Sequence, residues 1–101
     1  MKLISTFIDN QLSPQTRRAY QGDLNRFLEF FKGPLQDVTP DDIIRYRNTL
    51  AETLAPESVN RALSTIRSLY QWGVNNSVVP SNPALFVKAM PVTIESKTPG
   101  L

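Results

Sequence analysis

Prolines and glycines divide this 101-residue chain into four segments, and this division constrains its fold more than any other feature. Within each segment, apolar residues recur three and four positions apart, which is the spacing of one face of an amphipathic helix. The chain is 41% hydrophobic and 20% charged, as ordinary globular domains are. A domain of this length buries roughly two-thirds of the surface that its unfolded chain exposes, so it needs no disulfide, and cysteine is absent. The sequence therefore predicts a single all-α domain.

The first two segments predict a short helix followed by a long one. A helix over about residues 2–11 would carry an apolar stripe of Leu3, Ile4, Phe7 and Ile8. Ser13–Pro14 predicts the next start, because a serine oxygen can accept from free first-turn amides and proline there loses no needed N–H. The helix is expected to reach Phe31 or Lys32, where a basic last turn, Gly33 at the C′ position and Pro34 would end it. Its inward stripe reads Tyr20, Leu24, Phe27, Leu28 and Phe31.

Two further helices follow the same logic. Thr39–Asp42 predicts a third helix with two acids in its first turn. Negative side chains there stabilise a helix, because they interact favourably with the positive end of its dipole. Its inward positions are Ile43, Tyr46, the stem of Arg47, Leu50 and Leu54. Pro56 opens a fourth helix that is expected to end near Asn75–Asn76. Its stripe reads Val59, Ala62, Leu63, Ile66, Leu69, Tyr70 and Val74.

After the fourth helix the pattern weakens. Asn82–Val87 predicts one more turn, and from Met90 onward periodicity gives way to Pro, Ser, Thr and Gly. We therefore expect residues 1–90 to form the helical domain and residues 91–101 to form a linker. A linker implies a following C-terminal domain, so the sequence predicts a fragment of a longer protein.

The second and fourth helices carry polar faces that are rich in cations, hydroxyls and amides. The second presents Gln15, Thr16, Arg17, Arg18, Gln21, Asn25, Arg26 and Glu29, with its cations concentrated in the first two turns. The fourth presents Asn60, Arg61, Ser64, Thr65, Arg67, Ser68 and Gln71, and only Glu57 is negative. Arginine neutralises phosphates, while hydroxyl and amide groups donate to phosphate oxygens or to base edges. These faces therefore suit DNA.

The alternative is that these faces are simply solvated, since any exposed helix face is polar. An idle surface normally mixes acids with bases, however, whereas the acids here lie on or near the third helix. They are Asp37, Asp41, Asp42 and Glu52. The net charge of +2 is too small to identify a polyanionic partner alone. The distribution of charge carries the argument.

No active site can be composed from these residues. The aromatic residues lie on or beside the apolar stripes, so packing explains the three tyrosines better than base stacking or a nucleophilic role. Histidine is absent, which removes the commonest general acid or base. Asp41 and Asp42 fit helix-dipole partners better than metal ligands. No apolar run has transmembrane or signal length, so the chain is expected to be cytoplasmic, without a membrane partner.

A linked series of motifs runs through residues 1–90. It comprises Leu3–Ile4 and Phe7; Ser13–Tyr20 with Asp23–Leu24 and Phe27–Leu28; Leu35 and Val38–Ile43; Ser58–Trp72; and Asn82–Ala84. In this order and spacing the series resembles the amino-terminal core-binding domain of tyrosine recombinases, the Xer-like and phage-integrase group.

The resemblance implies a SAM-like fold, a four-helix bundle of two crossed helical hairpins whose second and fourth helices face double-stranded DNA. The positions carried over as DNA-binding are Gln15, Thr16, Arg17, Arg18, Ser58, Asn60, Arg61, Ser64, Arg67 and Ser68. Catalysis would belong to a C-terminal domain of the same protein, which breaks and rejoins strands through a phosphotyrosine and needs no cofactor. Other recombinase protomers on the DNA would be further partners. Integrase, resolvase and integron recombinase stay open as identities of the parent.

Two competing classes remain. A helical protein–protein interaction module would use the same two helices to bind a protein, and its association would be insensitive to salt. A free-standing enzyme has little support in the residues. On the DNA hypothesis, Arg17→Ala combined with Arg61→Ala is expected to weaken binding to any duplex and to leave thermal stability nearly unchanged.

Overall fold

The computed structural model describes residues 2–92, which form four α-helices and, within that range, no strand. The helices are α1 (Lys2–Asp9), α2 (Pro14–Phe30), α3 (Pro40–Leu50) and α4 (Pro56–Asn75). A short 3-10 turn at Leu35–Asp37 precedes α3 and was not predicted. The predicted all-α, four-helix fold is confirmed. Most of the predicted linker, from residue 93 onward, lies outside the described residues, so the domain boundary stays a prediction.

The predicted helix starts are confirmed, because local capping signals fix them. The Ser13 hydroxyl accepts from the Thr16 amide at 3.4 Å. At α3 the capping is reciprocal: the Asp42 amide donates to the Thr39 hydroxyl at 3.2 Å, and the Thr39 amide donates to the Asp42 carboxylate at 3.0 Å. The start of α4 has no side-chain cap and relies on Pro56 in its first turn.

The predicted ends of α2 and α4 agree with the observed Phe30 and Asn75, whereas α1 and α3 end earlier than predicted. Gly33 was expected at the C′ position of α2, where a glycine usually has a left-handed backbone. The helix is capped at Phe31, and no glycine within the described residues has a positive φ, so this part of the prediction is wrong.

Helix α2 ends at Phe30, close to the predicted Phe31 or Lys32. Its cap is Phe31, whose backbone is extended and whose amide donates to the Phe27 carbonyl at 2.9 Å. The half-buried Phe31 ring stacks on Phe27 with a centroid separation of 6.3 Å, which draws the chain back toward the core. The third helix ends at Leu50, and Leu54 packs from a turn beyond it.

The core is organised around α4, which packs against each of the other three helices, while α1 also packs on α2. Consecutive helices thus form two pairs, α1 with α2 and α3 with α4, joined by the α2–α4 contact. Fully enclosed side chains come from α2, α3 and α4. They include Leu24, Phe27, Ile43, Tyr46, Val59, Leu63, Ile66 and Tyr70.

The segment after α4 also contributes to the core. Val79, Ala84 and Val87 are buried, and a turn at residues 83–86 brings the last two onto the helices. The predicted turn over Asn82–Val87 is therefore confirmed, with bonds from the Leu85 amide to Asn82 and from the Val87 amide to Ala84. The chain reverses after α4 at Ser77, a non-glycine residue with a φ of 58°.

Among the described residues, no helix combines the length and the apolar character that crossing a membrane requires. Residues 2–92 likewise contain no group of three or more acidic side chains that could hold a metal ion.

Candidate nucleic-acid interface

One exposed stripe runs the length of α4. Its members recur at helical spacing and are Glu57, Arg61, Ser64, Ser68, Gln71 and Asn75. The only acid, Glu57, is in the first turn, and the stripe is otherwise made of one cation, two hydroxyls and two amides. Ser64 and Ser68 lie in its middle, and such short side chains let another molecule approach the helix closely. The predicted polar face of α4 therefore exists in part as a continuous surface. Thr65 was predicted to lie on this face, but it is fully buried and points into the α2–α4 contact.

The start of α2 presents the second group of cations. Gln15, Arg17 and Arg18 are exposed, and Thr16 is half-buried beside the Ser13 cap. The Arg17 Nε donates to the Gln11 carbonyl at 2.7 Å, which holds this side chain against the α1–α2 loop. No partner holds the Arg18 guanidinium in the part of the chain that the structure describes. Two cations thus adjoin the positive N-terminus of α2, a favourable position for an anion.

The two helices meet at a buried acid. Asp23 of α2 is 1% exposed and accepts from Arg61 of α4 through Nη2 at 2.8 Å and Nε at 3.3 Å. It also accepts from the buried Thr65 hydroxyl at 2.9 Å. These bonds raise the pKa of Arg61, mainly because Asp23 accepts from the charged guanidinium. The Arg61 side chain is nevertheless 56% exposed.

This geometry corrects one expectation about stability. Arg61→Ala was expected to be nearly neutral for folding, but it would leave the buried Asp23 carboxylate with Thr65 as its one remaining side-chain donor. A buried charge that loses a partner destabilises the fold, by about 1–3 kcal/mol for hydrogen bonds of this kind. We therefore expect Arg61→Ala to lower stability.

Asp23 is the residue whose role the sequence analysis missed. Asp23 entered the motif series only beside Leu24, although its helical spacing indicates that it is buried. Asp23 lies three residues after Tyr20 and four before Phe27, so it falls on the inward stripe of α2. An acid at an inward position requires a partner from another element.

Two predicted DNA-binding side chains bind the chain's own C-terminal segment. Asn60 forms a double hydrogen bond with the Met90 backbone: its Nδ2 donates to the carbonyl at 3.0 Å, and its Oδ1 accepts from the amide at 2.7 Å. Arg67 donates through Nε to the Ala84 carbonyl at 3.1 Å and through Nη2 to the Val87 carbonyl at 3.0 Å. These two residues therefore fasten residues 84–90 to α4.

Of the ten predicted positions, six have exposed side chains and four are half-buried. The exposed ones are Gln15, Arg17, Arg18, Arg61, Ser64 and Ser68, and the half-buried ones are Thr16, Ser58, Asn60 and Arg67. The structure brings the α2 and α4 groups onto two helices in direct contact. A role in DNA binding stays a prediction for every one of them.

The tyrosines are packing residues, as the sequence analysis predicted. Tyr70 is buried and its hydroxyl donates to the Leu35 carbonyl at 2.7 Å. Burial raises the pKa of Tyr46 to about 12 and also raises that of Tyr70, which disfavours the phenolate form in both. The half-buried Tyr20 stacks on Phe7 at a centroid distance of 5.5 Å.

The acids of α3 are occupied at its N-terminus, as predicted. Asp41 and Asp42 both accept from Arg45, the first at 2.6 Å. The Thr39 backbone amide lowers the pKa of Asp42, with smaller help from the Thr39 hydroxyl and from Arg45. Their partners are thus a helix end and a neighbouring cation.

Comparison with known proteins identifies the family. A family model described as the phage integrase N-terminal SAM-like domain matches residues 4–76. Tyrosine recombinase XerC of Myxococcus xanthus is 36% identical over 93 residues, which cover 86% of this chain and 31% of that protein. XerC of Lacticaseibacillus casei strain BL23 is 33% identical over 94 residues, covering 82% of this chain and 32% of that protein.

The chain spans about a third of the length of these curated relatives. No solved structure matches it. The family match covers well over half of the chain and coincides with the four helices described above. The chain therefore belongs to the family of phage integrase N-terminal SAM-like domains.

Proposed function

We propose that this chain is the double-stranded-DNA-binding module of a site-specific tyrosine recombinase or integrase. It grips the recombination site in the cytoplasm while a separate C-terminal catalytic domain of the same protein performs strand exchange. Other recombinase protomers on the same DNA are its further partners. The relatives' name, tyrosine recombinase, supports this assignment of the parent protein.

The observation that carries the proposal is the joined pair of polar faces on α2 and α4. The two helices pack on each other, and their outward side chains are cations, hydroxyls and amides with few acids. Cations supply affinity for the phosphates of DNA. Short polar side chains allow the surface of a DNA groove to come close to the helices. Cations concentrated on two neighbouring helices attract a polyanionic duplex more strongly than an equal charge spread over the whole surface.

The environment of the three tyrosines supports the proposal that this chain binds DNA while another domain performs catalysis. A recombinase nucleophile must be reachable by a phosphodiester, whereas Tyr46 and Tyr70 are enclosed in the core and Tyr20 is stacked in the α1–α2 contact. The chain also contains no histidine. This arrangement supports a module that positions DNA for chemistry performed elsewhere.

The test is a titration of the chain with a labelled mixed-sequence duplex at two ionic strengths. Each phosphate contact contributes roughly 0.9 to the slope of log affinity against log salt, so binding by several contacts should weaken steeply as salt rises. Absence of duplex binding at the lower ionic strength, or binding unaffected by salt, would contradict the proposal.

A helical protein–protein interaction module is the second candidate. The observation that favours it is a shallow apolar groove between α3 and the segment after α4, lined by Ile44, Pro83 and Phe86 among others. Phe86 is 89% exposed and lines this groove together with Ile44, which is also exposed, so the two offer a joined apolar surface. Self-association that grows with protein concentration and resists salt, measured by sedimentation velocity, would favour this function over the first.

A further inference from the structure

The α2–α4 junction contains an acid where the surrounding stripe is apolar. Asp23 lies beside Leu24 and three to four residues from Tyr20 and Phe27, and its side chain is 1% exposed. An acid in such a position opposes burial of the helix face unless donors compensate it. Here the compensation comes from Arg61 and Thr65, both on α4.

The two contacts to Arg61 determine which part of its guanidinium remains available. A guanidinium has five N–H donors in a rigid plane. Asp23 takes one from Nε, at 3.3 Å, and one from Nη2, at 2.8 Å. Within residues 2–92 no other group accepts from this guanidinium. One N–H of Nη1 and the second N–H of Nη2 are parallel and form the end of the plane opposite Nε, which is its outer edge. That edge can donate in parallel to a pair of acceptors, such as two phosphate oxygens or the O6 and N7 of guanine.

Thr65 stabilises the Asp23–Arg61 pair from its buried side. Its hydroxyl lies 2.9 Å from the Asp23 carboxylate and 3.1 Å from the Arg61 carbonyl, both of which are acceptors. A hydroxyl carries one proton and can donate to only one of these acceptors at a time. The carboxylate is charged and nearer, so it is the stronger acceptor and takes the proton. The Asp23 carboxylate is thereby held on the side facing α4. The plane of the Arg61 guanidinium is fixed by this carboxylate, which is itself buried.

We propose that Asp23 is a positioning residue for DNA binding: it fixes the Arg61 guanidinium so that its outer edge binds an acceptor pair on the duplex in a set direction. This inference rests on the proposed function. Arg61 then acts as a hydrogen-bond donor of fixed orientation. The positive charge that it brings to the interface is largely offset by the negative charge of Asp23. An unheld arginine on α4 would bring a full charge but no direction.

The proposal reverses the effect expected from charge alone. Asp23→Asn removes one negative charge and so raises the formal net charge of +2 by one unit. Simple electrostatics would make the variant bind a polyanion more tightly. If Asp23 positions Arg61, the variant binds a labelled mixed-sequence duplex about 3- to 10-fold more weakly, the scale of one lost directed contact.

A double-mutant cycle on duplex affinity separates positioning from a general structural effect. We expect Arg61→Ala to weaken binding about tenfold, as for one charge-assisted contact. Adding Asp23→Asn to Arg61→Ala should then cause almost no further loss, because Asp23 acts through Arg61. Glu52→Gln is the matched control, since it removes the same charge from an exposed acid in the α3–α4 loop. It should leave binding unchanged or slightly tighter.

Arg61→Lys provides a second variant that keeps the charge, in case Asp23→Asn does not fold. Lysine cannot bind Asp23 through two planar donors and still present a fork, so the variant should bind nearly as weakly as Arg61→Ala. Circular dichroism establishes that each variant is folded at the temperature of the titration.

The outcomes distinguish the two proposals. If the wild-type chain shows no salt-sensitive duplex binding, the proposed function fails. If it binds but the losses of Asp23→Asn and Arg61→Ala simply add, the positioning role is overturned and the function stands. The same holds if Asp23→Asn tightens binding as Glu52→Gln does, or if Arg61→Lys equals the wild type.

Discussion

Thr65 is the enclosed donor to the buried Asp23 carboxylate of α2. It is fully enclosed, and its hydroxyl donates to Asp23 at 2.9 Å. Arg61 reaches the same carboxylate from the exposed side of α4, where water competes for it. The enclosed hydroxyl has no such competitor, so its loss cannot be made good by solvent.

We expect Thr65→Val, which keeps the shape and removes the hydroxyl, to lower the free energy of unfolding by about 1–3 kcal/mol. Urea denaturation measures this change, and an unaltered slope against urea would show that the loss comes from the native state. Thr65→Ser is the control, because it retains the donor. A valine variant as stable as the serine variant would contradict the assigned bond.

At the scale of single helices, the N-terminus of α3 couples stability to pH. The Thr39 amide lowers the pKa of Asp42 below its ordinary value of 3.8. A carboxyl whose pKa is lower in the folded state stabilises the fold above its unfolded pKa, and this contribution disappears as the pH falls through the folded pKa. The reciprocal cap of Thr39 and Asp42 should therefore be complete at neutral pH and lost in acid.

The corresponding prediction compares the wild type with Asp42→Asn. We expect the variant to be less stable near pH 7, by about 1 kcal/mol as for other lost caps. The difference should shrink as the pH falls below the ordinary carboxyl pKa of 3.8 and through the lowered pKa of Asp42. Thermal or urea unfolding at the two pH values measures it. A difference that stays constant with pH would show that the Asp42 charge does not contribute.

The last turn of α4 is shaped by its contact with the segment beyond the helix. A Cβ added to Gly73 would lie 2.9 Å from Cγ2 of Val79, whose side chain is itself buried. The Gly73 carbonyl also accepts from the Val78 amide at 2.8 Å, which closes the turn. The close approach of this turn to the helix therefore requires a residue without a side chain.

We expect Gly73→Ala to lower the free energy of unfolding by about 1–3 kcal/mol, as overpacking does, although alanine is the better helix former. Gly22→Ala in α2 is the matched control, because its added Cβ meets nothing within 4 Å. That variant should gain about 0.5–1 kcal/mol. Equal shifts of the two variants in a urea titration would contradict the Val79 contact.

At the scale of the whole molecule, charge on the proposed DNA-binding surface should matter where equal charge elsewhere does not. Gln15 lies in the first turn of α2 and Gln36 lies in the 3-10 turn, and both are exposed. Each can be changed to glutamate with almost no change of shape. The two substitutions alter the net charge identically, so any difference between them reports on position.

Gln15→Glu should weaken duplex binding several-fold at low salt, while a first-turn acid adds about 0.3–1 kcal/mol to the stability of α2. Gln36→Glu should leave both quantities nearly unchanged. Duplex titration and thermal unfolding of the two variants provide the measurements. If both bind alike, the N-terminus of α2 lies away from the DNA.

The fold was predictable where local signals determine it. Ser13 and Thr39 cap their helices through neighbours three residues away, so sequence spacing alone located those starts. The ends depend on tertiary contacts instead, as at Phe31, whose ring is drawn onto the core ahead of Gly33. Burial of Val79 and its neighbours could not be predicted, because it depends on how the last segment returns to α4.

The candidate site was predictable in part for the same reason. Helical spacing identified the exposed stripe of α4, but it could not separate residues facing solvent from those facing the returning chain. Asn60 and Arg67 have the composition of a DNA-binding face, yet their partners lie 17 to 30 residues further along the sequence. Asp23 was hidden similarly, since its partners are 38 and 42 residues away on α4.

The double hydrogen bond between Asn60 and Met90 gives a continuing polypeptide a fixed origin on α4. One extended residue advances a chain by at most about 3.3–3.6 Å, and one base step advances a duplex by about 3.4 Å. Inserting or deleting a residue just after Met90 would thus change, by at most about one base step, how far a connected segment can reach from α4. The Asn60–Met90 bonds make that helix the fixed point from which such a reach is counted.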